Sequence, residues 1–313
     1  MSKPDVLQVG AYPEWDQGPL EQSFTMHRYF EATDKPGFLA KVGGSVRAIA
    51  TRGDLGADSD LIAALPKLEM IAVFGVGYDA VDLSAAQARA IAVSNTPDVL
   101  TKDVADLAVA MWLANQRRMV AAEAWVRGGD WLKSGFALTR RAHGKRAGIL
   151  GLGRIGREIG RRLAGFDMQI SYSSRVEKPT SGWRYVADPV ALARDCDVLF
   201  VALAATPETR HIVDAAVLAA LGPEGMLVNI SRAANVDEAA LLSALESGAL
   251  GSAALDVFDN EPALNPRFLA LQNVLLQPHV GSGTRETRVA MGKLMRDNLV
   301  AHFAGQPLLT PVV

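Results

Sequence analysis

Short apolar runs, set apart by turn residues and by polar or amphipathic stretches, recur along the whole chain. In the first hundred residues they fall at 6–9, 46–50, 70–74 and 91–93, with helix-like pieces such as 58–65 between them. Apolar runs this short, bounded by turns, read as buried strands, and their alternation with amphipathic segments predicts a parallel α/β sheet. Pro97 and Asp98 punctuate the chain, and a helical pattern follows over about 102–118. Met111 and Trp112 within it read as packing residues. Strand-like runs resume at 147–150, 168–172, 198–203, 226–230, 253–257 and 274–276. Asp237 is placed to cap a helix that Gly248 stops. A last helix begins near Thr284, shows an apolar stripe of Met291, Leu294, Met295, Leu299 and Phe303, and ends at Gly305 and Pro307. Two α/β units are expected, with the final helix packing back on the first.

The run after 147–150 differs from the others because glycines follow it at fixed spacing. Gly151, Gly153 and Gly156 form G-x-G-x-x-G, and Ile155, Ile159 and Leu163 continue at helical spacing before the next strand. Strand, glycine turn, helix and strand together are the fingerprint of a dinucleotide site. The first glycine makes the turn, the second admits a pyrophosphate to the backbone, and the third lets helix and sheet approach. The helix N-terminus presents free N–H groups and a positive dipole end to the phosphates.

An NAD site usually has Asp or Glu at the end of the second strand, for the ribose 2′-hydroxyl. Here that position holds Ser173, followed by Ser174 and Arg175. No carboxylate would repel a 2′-phosphate, two hydroxyls can donate to it, and a guanidinium forms charge-assisted bonds with it. The reading is NADPH/NADP in preference to NADH/NAD. The plainer alternative makes Arg175 a solvated residue beside a permissive NAD site.

Composition narrows the function from the other side. With 313 residues the chain is long enough for two cores, and a net charge of −2 leaves no basic footprint for nucleic acid or a membrane surface. No apolar run reaches membrane-spanning length, and the N-terminus shows no secretory h-region, so a cytoplasmic location is expected. The single cysteine, Cys196, begins an apolar strand and reads as a buried small hydrophobe; no disulfide and no metal site are expected.

Three chemically capable residues follow predicted strands in the second half: Arg232, Glu261 and His279. Ligands of open α/β sheets bind beyond the carboxyl ends of the strands, so the three are expected to converge there. Hydride transfer to a 2-oxo acid needs such a set. A guanidinium holds the carboxylate and polarises the carbonyl, an imidazolium gives a proton to the oxygen, and a carboxylate keeps the imidazole charged and oriented. Taken singly, each is more simply a structural residue or an ion-pair member. Asp256 is expected beside the nicotinamide, with a strand-end structural role as the alternative; Asp237 is a helix cap. On the first unit, the N–H groups of Val76 and Gly77, just past a strand, could receive the substrate carboxylate. Arg52, ending another strand, could add a second cation or simply be an exposed loop arginine.

The ordered motifs GVGYDAVD, SNTPDVLTKDVADLA, GLGRIG, NISRAANVDEAAL, ALDVFDNEP and QPHVG cover nearly the whole chain, which resembles the D-2-hydroxyacid dehydrogenase family. Within it, YSSR and the NTPD stretch resemble the NADPH-preferring glyoxylate and hydroxypyruvate reductases, including the plant-type hydroxyphenylpyruvate reductases. The resemblance implies two Rossmann-like doubly wound domains with a cleft between them, a flavodoxin-like substrate domain (1–98 and 285–313) and a nucleotide-binding domain (99–284). It implies that Arg232 binds and polarises the substrate, that Glu261 and His279 form a relay, and that Val76 and Gly77 meet the carboxylate. Leu152, Gly153, Arg154, Ile155, Ser173, Ser174, Arg175, Ile230 and Asp256 would hold the cofactor. A homodimer is implied, and the end at Val313, without a regulatory domain, argues against a regulated phosphoglycerate dehydrogenase. Relatives often have Gly after the arginine where this chain has Ala233, and Val or Leu where it has Tyr78. The expected reaction is NADPH-dependent reduction of glyoxylate and hydroxypyruvate to glycolate and D-glycerate. A reductase of aromatic 2-oxo acids and a non-catalytic nucleotide-sensing protein of the same fold are the alternatives.

Overall fold

The computed structural model describes residues 3–180 and 182–313. The chain divides into two compact units, Met1–Leu100 with Thr284–Val313, and Thr101–Gly283.

The first unit is built on five parallel strands: β1 (Asp5–Gln8), β2 (Thr25–Arg28), β3 (Ala48–Arg52), β4 (Met70–Phe74) and β5 (Ala92–Ser94). Their order, β2-β1-β3-β4-β5, is the flavodoxin-like one. Leu7, Ile49, Ile71 and Val93 stand opposite one another across the central strands, and all are buried. A parallel sheet covered on both faces requires such unbroken apolar strands. The helix Arg285–Phe303 starts with the Thr284 hydroxyl accepting the Thr287 N–H, and packs on β4. Beyond it the chain runs alongside β5, where the Val312 N–H donates to the Val93 carbonyl. β2 was not foreseen, because an edge strand reading Thr-Met-His-Arg is only half covered and has no apolar run. The helix Glu14–Ser23 was hidden by Pro19 in its middle.

The second unit has seven parallel strands: β6 (Arg146–Leu150), β7 (Gln169–Ser173), β8 (Arg184–Tyr185), β9 (Val198–Val201), β10 (Met226–Asn229), β11 (Ser252–Leu255) and β12 (Val274–Leu276). Read from β8 the order is β8-β7-β6-β9-β10-β11-β12, the doubly wound nucleotide-binding arrangement with one strand added. The strand ends are aligned. Leu150 lies opposite Ser173 and Val201, Asn229 opposite Val201 and Leu255, and Leu255 opposite Leu276. The residues that follow these ends therefore share one edge of the sheet.

Burial of large side chains fastens this unit. Trp112, on the helix Thr101–Gln116, is 1% exposed and meets Phe166 edge-on with centroids 5.3 Å apart. Covering such a side chain is worth about 1.5–3 kcal/mol. That helix ends earlier than its pattern suggested, since Arg118 turns left-handed at φ +47°. Cys196 is buried, and loss of solvent pushes its thiol up to about 12, so it is inert packing.

Candidate active site

The glycine turn follows β6. Gly151 has φ +96°, and a Cβ there would come within 2.7 Å of the Ala202 carbonyl, so only glycine fits. At Gly156 a Cβ would lie 2.1 Å from the Gly151 carbonyl, which fixes how closely the helix Arg154–Ala164 packs on the strand. The Cβ position of Gly153, by contrast, meets no described atom within 4 Å. Gly153 also begins that helix and has no side chain to cap the backbone N–H groups of its first turn. An open second glycine at an uncapped helix start suits a pyrophosphate. Leu152 is buried behind the turn, and Arg154 and Ile155 open the helix.

Ser173 ends β7 next to this turn, its carbonyl accepting the Gly151 N–H at 2.9 Å. Its hydroxyl is less available than its position suggested. Ser173 is buried and donates to the Ala187 carbonyl at 3.1 Å. Ser174 is half-buried and donates to the Val176 carbonyl at 2.6 Å, while Arg175 is exposed. Lys178, which the sequence reading passed over, donates from Nζ to the Leu152 carbonyl at 2.9 Å. It lies three residues beyond Arg175.

Past β10, buried Ile230 leads into a loop held by its own polar side chains. The Asn229 Oδ1 accepts from the Ser231 N–H and hydroxyl, at 3.0 and 2.8 Å. The Asn229 amide donates to the Arg232 carbonyl, and the Asn235 amide donates to the Ser231 hydroxyl. These bonds set Arg232 in extended backbone, half-buried, with one guanidinium nitrogen donating to the Ser231 carbonyl. Ala233 opens a short 3-10 turn without a positive φ, so alanine is accommodated there.

Glu261 and His279 come from the loops beyond β11 and β12. The His279 Nδ1 and the Glu261 Oε2 are 2.6 Å apart, and the other Glu261 oxygen accepts the Phe258 N–H at 2.8 Å. Partial burial pushes the Glu261 carboxyl up. The His279 hydrogen bond, the Phe258 N–H and the charges of His279 and Arg232 outweigh it, leaving the carboxyl below its ordinary range. The charge of Arg232 thus acts on the Glu261 carboxylate. With Nδ1 engaged, Nε2 is the ring nitrogen left for another partner.

His279 has φ +53°, an uncommon conformation for a residue with a side chain. Asp256 explains how it is kept. Expected as a nicotinamide partner, Asp256 is 1% exposed and accepts the Val280 and Gly281 N–H groups, both at 2.8 Å, one on each carboxylate oxygen. Its visible task is to hold the turn that carries His279. Desolvation raises its carboxyl, against those two N–H bonds and the His279 charge.

On the first unit, Val76 and Gly77 follow β4 in a half-buried turn. The Gly75 N–H donates to the Thr96 hydroxyl, and the Asn95 amide donates to the Val76 carbonyl. Among the described residues, the N–H groups of Val76 and Gly77 have no hydrogen-bond acceptor. Arg52 is already paired, its guanidinium meeting Asp54 at 3.0 and 2.8 Å, so it is less free than a second substrate cation would be.

Residues 109–281 match the family model described as D-isomer specific 2-hydroxyacid dehydrogenase, NAD binding domain. The chain is 49% identical over 308 residues to a hydroxyphenylpyruvate reductase of Plectranthus scutellarioides, covering 98% of each. It is similar in structure to a 2-hydroxyacid dehydrogenase from Ketogulonicigenium vulgare Y25, with a TM-score of 0.94, 63% identity, and 100% and 99% of the two chains covered. It is also similar to an NADPH-dependent glyoxylate/hydroxypyruvate reductase from Sinorhizobium meliloti, solved with NADP and malonate. There the TM-score is 0.92 and the identity 41%, over 100% and 97% of the chains.

Proposed function

The chain belongs to the D-isomer specific 2-hydroxyacid dehydrogenase family of oxidoreductases, and we propose that it reduces small 2-oxo acids, glyoxylate and hydroxypyruvate first, with NADPH. The observation that carries this reading is the 2.6 Å contact of His279 with Glu261, with the charge of Arg232 acting on the same carboxylate.

In this reading Arg232 pairs with the substrate carboxylate and draws electron density from the adjacent carbonyl through a permanently charged, planar fork. A nicotinamide cofactor, when bound, would supply the hydride that the carbonyl carbon takes up. As the oxygen gathers charge, the His279 Nε2 gives it a proton, and the 2-hydroxy acid results. Glu261, ionised because its carboxyl is held low, engages Nδ1 and fixes the ring. Gly151, Gly153, the start of the helix Arg154–Ala164 and Ile230 would hold the cofactor; Ser174 and Arg175 would meet its 2′-phosphate. The NADP complex of the Sinorhizobium meliloti relative supports the choice of NADPH. The hydroxyphenylpyruvate reductase relative supports a second reading, reduction of aromatic 2-oxo acids.

A homodimer completes the proposal. Met119, Val120, Val126, Trp131, Leu132 and Leu138 are all large, apolar and exposed, Leu132 to 94%, within one short segment of the second unit. Apolar surface so concentrated marks an interface, and a second copy would cover it. Light scattering should give twice the 33.3 kDa of one chain. No described helix is long and apolar enough to cross a membrane.

Initial rates with NADPH and NADH across glyoxylate, hydroxypyruvate, pyruvate and phenylpyruvate test the function. The expected result is strong NADPH preference with fastest turnover of the first two acids. Preference for phenylpyruvate would move the substrate class, and no turnover despite cofactor binding would favour the sensing protein. Arg175→Ala should weaken NADPH binding about tenfold and leave NADH binding unchanged.

A further inference from the structure

The segment after β7 is strapped to the nucleotide fingerprint at three places. The buried Tyr172 hydroxyl donates to the Lys178 carbonyl at 2.7 Å and accepts the Lys178 N–H at 2.8 Å, closing residues 173–178 into a fixed loop. Arg157, on the helix that starts at the glycine turn, donates to the Pro179 carbonyl at 3.0 Å. Trp183 lies against Gly160 of the same helix, where a Cβ would stand 2.4 Å from the indole. Within this frame the Lys178 ammonium lies 2.9 Å from the Leu152 carbonyl, inside the glycine turn itself. An ammonium has three N–H donors, and a single carbonyl engages one.

We propose that Lys178 is a second cation for the 2′-phosphate of NADPH, held at the glycine turn by Leu152 and by the Tyr172 loop closure. The inference rests on the NADPH reading above. In this fold the ribose that bears the 2′ position lies between the glycine turn and the end of the second strand. Here those two pieces are joined by the bond from the Gly151 N–H to the Ser173 carbonyl. Lys178 reaches the same place from the far end of the loop. Arg175 has a competing neighbour: Glu208 is held below its ordinary carboxyl range by the Thr206 hydroxyl, its own N–H and the charge of Arg175. With Glu208 drawing on Arg175 and Glu177 adjoining Lys178, one cation leaves little net positive charge for a dianionic group. A second restores it.

Lys178→Met keeps the aliphatic stem and removes the charge. Calorimetric titration of the purified full chain with 2′,5′-ADP and 5′-AMP, and fluorescence titration with NADPH and NADH, read the effect without turnover. The expected result is about tenfold weaker binding of 2′,5′-ADP and NADPH, unchanged 5′-AMP and NADH, and recovery in Lys178→Arg. Equal losses for all four ligands, or a lowered melting temperature with no discrimination, would show a merely structural tie and overturn the proposal. Arg175→Ala is run in parallel. If it discriminates while Lys178→Met does not, Lys178 falls and the NADPH reading stands. If the wild-type chain itself binds 2′,5′-ADP no better than 5′-AMP, both fall.

Discussion

Two histidine–carboxylate pairs in this protein have the same contact distance. His279 and Glu261 meet at 2.6 Å in the second unit, and His27 and Asp5 meet at 2.6 Å in the first. Both pairs are partly exposed, so distance does not separate them. Their places in the sheets do. Asp5 begins β1, and His27 lies on the edge strand β2 opposite Leu7, in ordinary strand backbone. Glu261 and His279 lie beyond the carboxyl ends of β11 and β12, where open α/β sheets take ligands. A cation, Arg232, acts on that second pair, and Asp256 holds the His279 turn in a left-handed conformation. A short imidazole–carboxylate contact is common structural currency; a strained histidine with a buried clamp beneath it is a costlier arrangement that folding alone does not require.

Replacing each partner in turn tests whether that contrast is functional. The largest effect is expected at His279. His279→Gln should lower kcat about a thousandfold with NADPH affinity kept, whereas His27→Gln should leave kcat alone. Comparable turnover in the two variants would erase the distinction. Glu261→Gln comes next, with kcat about a hundredfold lower and a shift in pH dependence. Because the Glu261 carboxyl is held below its ordinary range, it stays ionised well into acid. Protonation of that carboxyl would set an acid limb of the pH–rate profile, and an amide, which has no such proton to gain, should remove that limb. Asp5→Asn should leave that limb in place. A retained limb in Glu261→Gln would deny the carboxylate its part.

The smallest effect belongs to Asp256→Asn. An amide keeps one acceptor oxygen and turns an NH2 toward the other backbone N–H, so about 2 kcal/mol of stability should be lost. The His279 turn would loosen, and kcat should fall about tenfold with the shape of the pH–rate profile kept. Urea denaturation beside the pH–rate profile separates this positioning role from proton transfer. Full activity in a destabilised variant would make Asp256 a fold residue only.

The sheets could be read in advance wherever strands are buried on both faces, since there every position is apolar. β9 and β10 announce themselves; β2 and the two-residue β8 do not, because an edge strand is half solvated and its side chains answer to water as much as to the core. In the site, Gly151 and Gly156 were legible because a positive φ at the first and a close backbone approach at the second admit no other residue, and Gly153 because it falls at the fingerprint spacing between them. Ser173 and Asp256 were not legible in their actual contacts. Both have a side chain that can serve a ligand or a neighbouring loop, and the choice depends on Ala187 in one case and on Val280 and Gly281 in the other. Lys178 had no periodic signal at all.

The linear order of residues by itself determined the succession of the buried strands, the placement of the glycine fingerprint after one of them, and which chemical groups follow which of those strands. Those features are local: they depend on side-chain period, capping and backbone freedom within a few residues. The tertiary structure decided the pairings, among them Glu261 with His279, Asp256 with the turn beside it and Lys178 with the glycine turn. Each joins residues 18 to 26 positions apart through loops that have no repeating pattern. Such contacts form only once parallel strands have been brought into register, and the register belongs to the whole sheet.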